Sequence, residues 1–104
     1  MIITADDIRS FISEHPLALI YFKGDQCRIC RQLGPEIAAF AQKQEIPLLE
    51  VDMSSNPGLA SSEMVLSVPV IKLYFEGSEV FKEGAYFRFS ELRKMIEKIR
   101  TFQS

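Results

Sequence analysis

The stretch LIYFKGDQCRIC, Leu19 to Cys30, limits the possible folds more than any other part of the chain. It continues the longest unbroken apolar run, Leu17–Phe22 (LALIYF). A run with no polar face predicts a strand buried on both sides, as in a parallel sheet. Gly24, Asp25 and Gln26 then break it. From Cys27 onward Ile29, Leu33, Ile37, Phe40 and Ala41 recur at steps of four, four, three and one, which predicts a helix with one buried stripe. Pro35 lies inside that stripe and should kink the helix, because it lacks an N–H and crowds the preceding turn.

Local signals divide the rest of the chain. Thr4 and Asp7 have capping-box spacing ahead of Ile8, Phe11 and Ile12, so a helix should begin there and stop before Pro16. His15 falls at its end and reads as a helix-terminal side chain touching the last carbonyls. Ile46–Val51 predicts the next strand, and Asn56–Pro57–Gly58 a turn opening a short helix through about Val65. Pro69–Phe75 (PVIKLYF) is a strand entered through a proline. Glu76–Gly77–Ser78 turns it into a hairpin partner beginning at Val80–Phe81. Ser90 is placed to cap a last helix whose Leu92, Met95, Ile96 and Ile99 form its apolar stripe. Early strand–helix alternation with a late hairpin predicts an α/β domain: a mixed sheet with helices on both faces.

Length and charge narrow the function. One hundred and four residues suit a single domain over 1–104. Net charge −2, with Lys and Arg dispersed, offers no basic surface for nucleic acid. MIITADDIRS has neither a basic start nor an apolar core, so no signal peptide is expected, and no run approaches a membrane span. The chain therefore reads as cytoplasmic. In that compartment a cysteine pair is more often catalytic or metal-binding than a staple.

Cys27 and Cys30 are the only cysteines and His15 the only histidine. A structural zinc site wants four ligands, which these residues could supply only between chains. Redox chemistry fits better. Cys27 stands where a helix begins, and free N–H groups with the positive end of the dipole favour a thiolate, the attacking species. Cys30 is one turn on, along the same face, so the two sulfurs can meet in a disulfide. Arg28 should further favour the Cys27 thiolate, and Ile29 should add an apolar contact near the site; both are candidate tuning residues. Lys23, Asp25 and Arg31 read as solvated rim residues.

Over nearly its whole length the chain resembles the thioredoxin family. The matching stretches are LIYFKGDQCRIC, Pro35 five residues after Cys30, VDMSSNPG, SVPVIKLYFEG and the final amphipathic helix. The resemblance implies a thioredoxin fold, with a mixed, mostly parallel central sheet, a C-terminal β-hairpin and helices on both faces. It implies dithiol–disulfide exchange on protein disulfides, with Cys27 as nucleophile and Cys30 as resolving thiol. No metal or cofactor beyond the Cys27–Cys30 disulfide is expected. Val68–Pro69 falls at the family's cis-proline, which implies that Val68 and Pro69 form the backbone edge for an extended substrate peptide. The implied partners are protein disulfides and an upstream dithiol reductase, acting on a monomer.

The departures are as informative. The family usually carries WCGPC; here Gln26 replaces the tryptophan and Arg28–Ile29 replaces Gly–Pro. Its buried aspartate, which takes a proton from the second cysteine, and a lysine near it on the next strand fall at Tyr21 and Leu48. On that reading no evident group deprotonates Cys30. The first strand is short, with only Ile2 and Ile3 before the opening helix. Two rival functions follow: a redox-inactive adaptor that keeps the fold, and a more oxidising oxidase or isomerase.

Overall fold

A computed structural model describes residues 2–103. The opening helix α1, Ala5–Glu14, forms because Thr4 caps it: the Thr4 hydroxyl accepts from Asp7 N at 3.1 Å and the Asp7 carboxylate accepts from Thr4 N at 2.8 Å. It ends at His15, before Pro16, as the proline requires. His15 stacks edge-on against Phe11, with ring centroids 5.0 Å apart. Ile2 and Ile3 form no strand; instead the Ile3 amide donates to Asn56 Oδ1 at 2.8 Å. The expected first strand is replaced by this side-chain tether, which leaves the sheet with four strands among the described residues.

The strands are β1 (Leu17–Lys23), β2 (Leu48–Asp52), β3 (Val70–Phe75) and β4 (Ser78–Glu83), in the order β2-β1-β3-β4. Only β1 and β2 run parallel; β1–β3 and β3–β4 are antiparallel. The sheet is thus mixed, and the expectation that it would be mostly parallel is corrected. Without a strand at Ile2–Ile3 a single parallel pairing remains. β1 is still buried from Leu17 to Phe22, because both of its faces are covered. On one face α2 (Arg28–Gln44) and α4 (Phe89–Gln103) pack over Leu19, Tyr21, Ile71 and Leu73. On the other, α1 and the short α3 (Leu59–Ser62) meet Ile20, Phe22, Val51 and Val70. Alternate β1 side chains thus feed two separate cores, each large one contributing about 1.5–3 kcal/mol.

α2 continues as one helix through Pro35. Its buried residues are Cys30, Ile37, Phe40 and Ala41, while Ile29 is 45% exposed. The expected stripe therefore begins one position late, at Cys30. Near 100° per residue, burying Cys30 turns Ile29 outward. α2 stops at Glu45, whose left-handed backbone lets its N–H bond Gln42 O at 3.1 Å. β2 starts two residues after the expected Ile46, and α4 starts at Phe89, so Ser90 lies inside that helix rather than capping it.

Candidate active site

Register brings the site together. β1 and β3 are antiparallel with Phe22 opposite Val70, so extending the ladder sets Val68 opposite Gly24. The fit there is tight: a Cβ on Gly24 would lie 3.1 Å from Val68 Cγ2 and 3.5 Å from Ser54 Oγ. Glycine lets the Val68–Pro69 segment press against the loop that carries the cysteines. The Val68–Pro69 peptide is cis, as the resemblance implied. Val68 is half-buried, Pro69 buried, and Val68 and Cys27 pack at the edge of the same core.

The cysteine loop is held from its other side too. Asp25 N donates to Ser54 Oγ at 2.9 Å, and the Ser54 hydroxyl donates to Asp25 Oδ1 at 2.8 Å. Arg31 Nη1 reaches Asp25 O at 3.3 Å. Asp25 and Arg31 therefore brace the loop as well as facing solvent. Lys23 pairs with Glu50 at 3.1 Å. Ser54 has no signal of its own in the sequence, since only the fold carries it to Gly24.

Cys27 and Cys30 form a disulfide, with Cα atoms 5.2 Å apart. Cys27 is the N-cap of α2, and its Sγ accepts the Cys30 N–H at 3.1 Å. That N–H is one of the donors a helix start leaves unpaired, and aimed at sulfur it favours negative charge there. Cys27 is half-buried, whereas Cys30 is only 4% exposed. Cys27 is thus the more exposed of the two. Arg28 and Ile29 are exposed on the first turn beside it.

Tyr21 occupies the space below Cys30. It is fully buried, and its hydroxyl donates to the Cys30 carbonyl at 2.7 Å. Burial, and then the charge of Glu50, push its phenol up to about 12, so Tyr21 holds its proton at neutral pH. The β2 residue beside it is Glu50; Leu48 pairs with Leu19 instead. The assignment of Leu48 as its neighbour is corrected by two places. Residues two apart share a strand face, so an apolar and a charged candidate pointed the same way, and only the register separates them. Among the described residues no group of three or more His, Cys, Asp or Glu could hold a metal ion, and no helix is long and apolar enough to cross a membrane.

A dithiol pair at a helix start, one sulfur accessible and one shielded, defines a thiol–disulfide oxidoreductase. The thioredoxin family model matches residues 1–98, and the chain belongs to the thioredoxin family. A thioredoxin from Chlamydia trachomatis is 32% identical over 83 residues, covering 79% of this chain and 81% of that one. Protein disulfide-isomerase A4 from Bos taurus is 31% identical over 90 residues; the match covers 82% of this chain but 14% of that protein's length. In structure, a mutant thioredoxin from Halobacterium salinarum superposes with a TM-score of 0.81 at 24% identity, covering 91% of this chain and 84% of that one.

Proposed function

We propose that residues 1–104 act as one thioredoxin-like domain that exchanges its Cys27–Cys30 dithiol with disulfides of other proteins. The Cα radius of gyration of 13.1 Å supports one domain, since about 13 Å is typical at this length. The Cys27 thiolate attacks a substrate disulfide, forming a mixed disulfide and releasing one substrate thiolate. Cys30 then attacks Cys27, forming the internal disulfide and releasing the second. An upstream dithiol reductase returns the pair to its reduced state, with no added cofactor. The observation that carries this reading is the Cys30 N–H aimed at Cys27 Sγ at the start of α2, beside the Val68–Pro69 edge. Val68 and Pro69 supply backbone groups along which an extended substrate lies. The domain works as a monomer in the cytoplasm.

A second reading, a more oxidising catalyst, draws support from the exposed cation of Arg28 next to Cys27. Stabilising the reduced thiolate makes the disulfide a stronger oxidant, on a scale from about −270 mV in thioredoxin to about −120 mV in the most oxidising relatives. Titrating the couple against glutathione separates the two readings.

Trapping tests the reaction itself. Cys30→Ser should hold protein partners in mixed disulfides on Cys27 that reductant releases, and Cys27→Ser should hold almost none. Partners that bind equally well without either thiol would instead establish an adaptor.

A further inference from the structure

The oxidoreductase cycle requires the Cys30 thiol to lose a proton, yet Cys30 is buried and its neighbour Tyr21 is an unsuitable acceptor. Tyr21 is itself a donor to the Cys30 carbonyl, and its phenol keeps its proton up to about 12. A cleft of about 340 Å³ opens beside Cys30, its lining including Lys23, Arg31, Gly34, Pro35 and Glu50. It has room for several waters. Glu50 is the one carboxylate lining it. Lys23 fixes that carboxylate by its 3.1 Å contact, and the β1–β2 register sets Glu50 beside Tyr21, whose hydroxyl donates to the Cys30 carbonyl.

We propose that Glu50 is the proton acceptor for Cys30, taking the thiol proton through water in this cleft during the resolving step. As a plain surface ion pair, Lys23–Glu50 would contribute at most about 1 kcal/mol to stability. Its place in the lining of a cleft that reaches Cys30 gives it this second use. In the step, Cys30–SH loses its proton to the Glu50 carboxylate. The resulting sulfur electron pair attacks Cys27 Sγ, the Cys27–Cys30 bond forms, and the bond from Cys27 to the substrate sulfur breaks, releasing a thiolate. Glu50 afterwards returns the proton to solvent. The charged groups facing Glu50 are Lys23 from β1 and Arg31 from α2, with the neutral Tyr21 beneath. Neither cation can itself accept a proton, so Glu50 is the acceptor the cleft offers.

The proposal rests on the dithiol reading, and one experiment separates their failures. Reduced protein is mixed with 5,5′-dithiobis(2-nitrobenzoate), and release of the coloured thiolate is followed by stopped flow. The first equivalent reports attack by Cys27, the second resolution by Cys30. Glu50→Gln should leave the first phase within about twofold and slow the second at least about tenfold near pH 7, the lower range for a lost general base being about a hundredfold and water replacing part of it. Glu50→Asp should recover part of the rate, and the gap should close as pH rises and hydroxide takes the proton. An unchanged second phase, equal slowing of both phases, or a deficit that does not vary with pH would overturn the assignment. Absence of the first phase in the unmutated protein would refute the dithiol reading, and this step with it.

Discussion

The phenolic hydroxyl of Tyr21 donates to the main-chain carbonyl of Cys30 across 2.7 Å, joining the central strand to the first turn of α2. The bond needs the phenol proton, so the site loses this support at strongly alkaline pH. In the unfolded chain a tyrosine ionises near 10, whereas Tyr21, raised by burial and then by Glu50, and Tyr74, raised by burial and then by Glu63 and Glu79, ionise at about 12. Below pH 10 both states keep these protons and the stabilisation is complete. Between 10 and 12 the unfolded chain loses them first, so stability falls as pH rises. Tyr21 should account for a loss on the order of 2 kcal/mol. Urea unfolding at pH 9 and pH 11.5 measures it, and Tyr21→Phe should flatten the slope while costing about 1 kcal/mol at neutral pH. An unaltered slope in Tyr21→Phe would place the pH sensitivity elsewhere.

Gly24→Ala should cost about 1–3 kcal/mol, because the new methyl would meet Val68 Cγ2 at 3.1 Å and a β-branched side chain has little rotamer freedom to yield. Val68→Ala on its own should cost less. In the double variant the Gly24→Ala penalty should largely vanish, giving a coupling above about 0.5 kcal/mol in a denaturation cycle. Strict additivity would mean that the loop yields elsewhere.

Arg28→Glu should raise the Cys27 pKa and make the couple more reducing, since it exchanges a favourable charge beside the sulfur for a repulsive one. Each pKa unit corresponds to about 30 mV in a two-electron couple. Because Arg28 is exposed, high salt should narrow the difference. Replacing Arg28 and Ile29 together by Gly and Pro should move the potential the same way. Glutathione titration of all three proteins checks the direction, and equal potentials would remove Arg28 from any tuning role.

On the far face of the sheet, Lys72 has a side chain only 4% exposed; its Nζ donates to Glu63 O at 2.6 Å and lies 3.3 Å from Glu79. Lys72→Ala should cost about 3 kcal/mol, since it removes the buried cation and leaves its acceptors without a donor. Lys72→Met, which keeps the volume, should cost less. Thiol reactivity of Cys27 should be the same in both, because this cluster faces α1 and α3 rather than the cysteines. A changed reactivity would mean that the two faces of the sheet are coupled.

Short-range chemistry was legible in the sequence. The Thr4–Asp7 cap, the stop before Pro16, the buried run Leu17–Phe22 and the helix beginning at Cys27 each depend on neighbours within a few residues, so local steric and hydrogen-bonding rules suffice for them. The cysteine pair and Pro69 were legible too, because their motifs are local. What joins distant segments was decided by tertiary structure alone. Glu50 rather than Leu48 sits beside Tyr21 because strand register is set by the packing of whole faces, and a two-residue slip keeps every side chain on the same face. Ile3 joins no strand because Asn56, more than fifty residues away, takes its amide. Gly24 against Val68, Ser54 against Asp25 and the cleft between Cys30 and Glu50 likewise arise only when β2 and β3 close on β1. The local pattern determined which residues could do chemistry, and the long-range pairing of strands decided which of them meet.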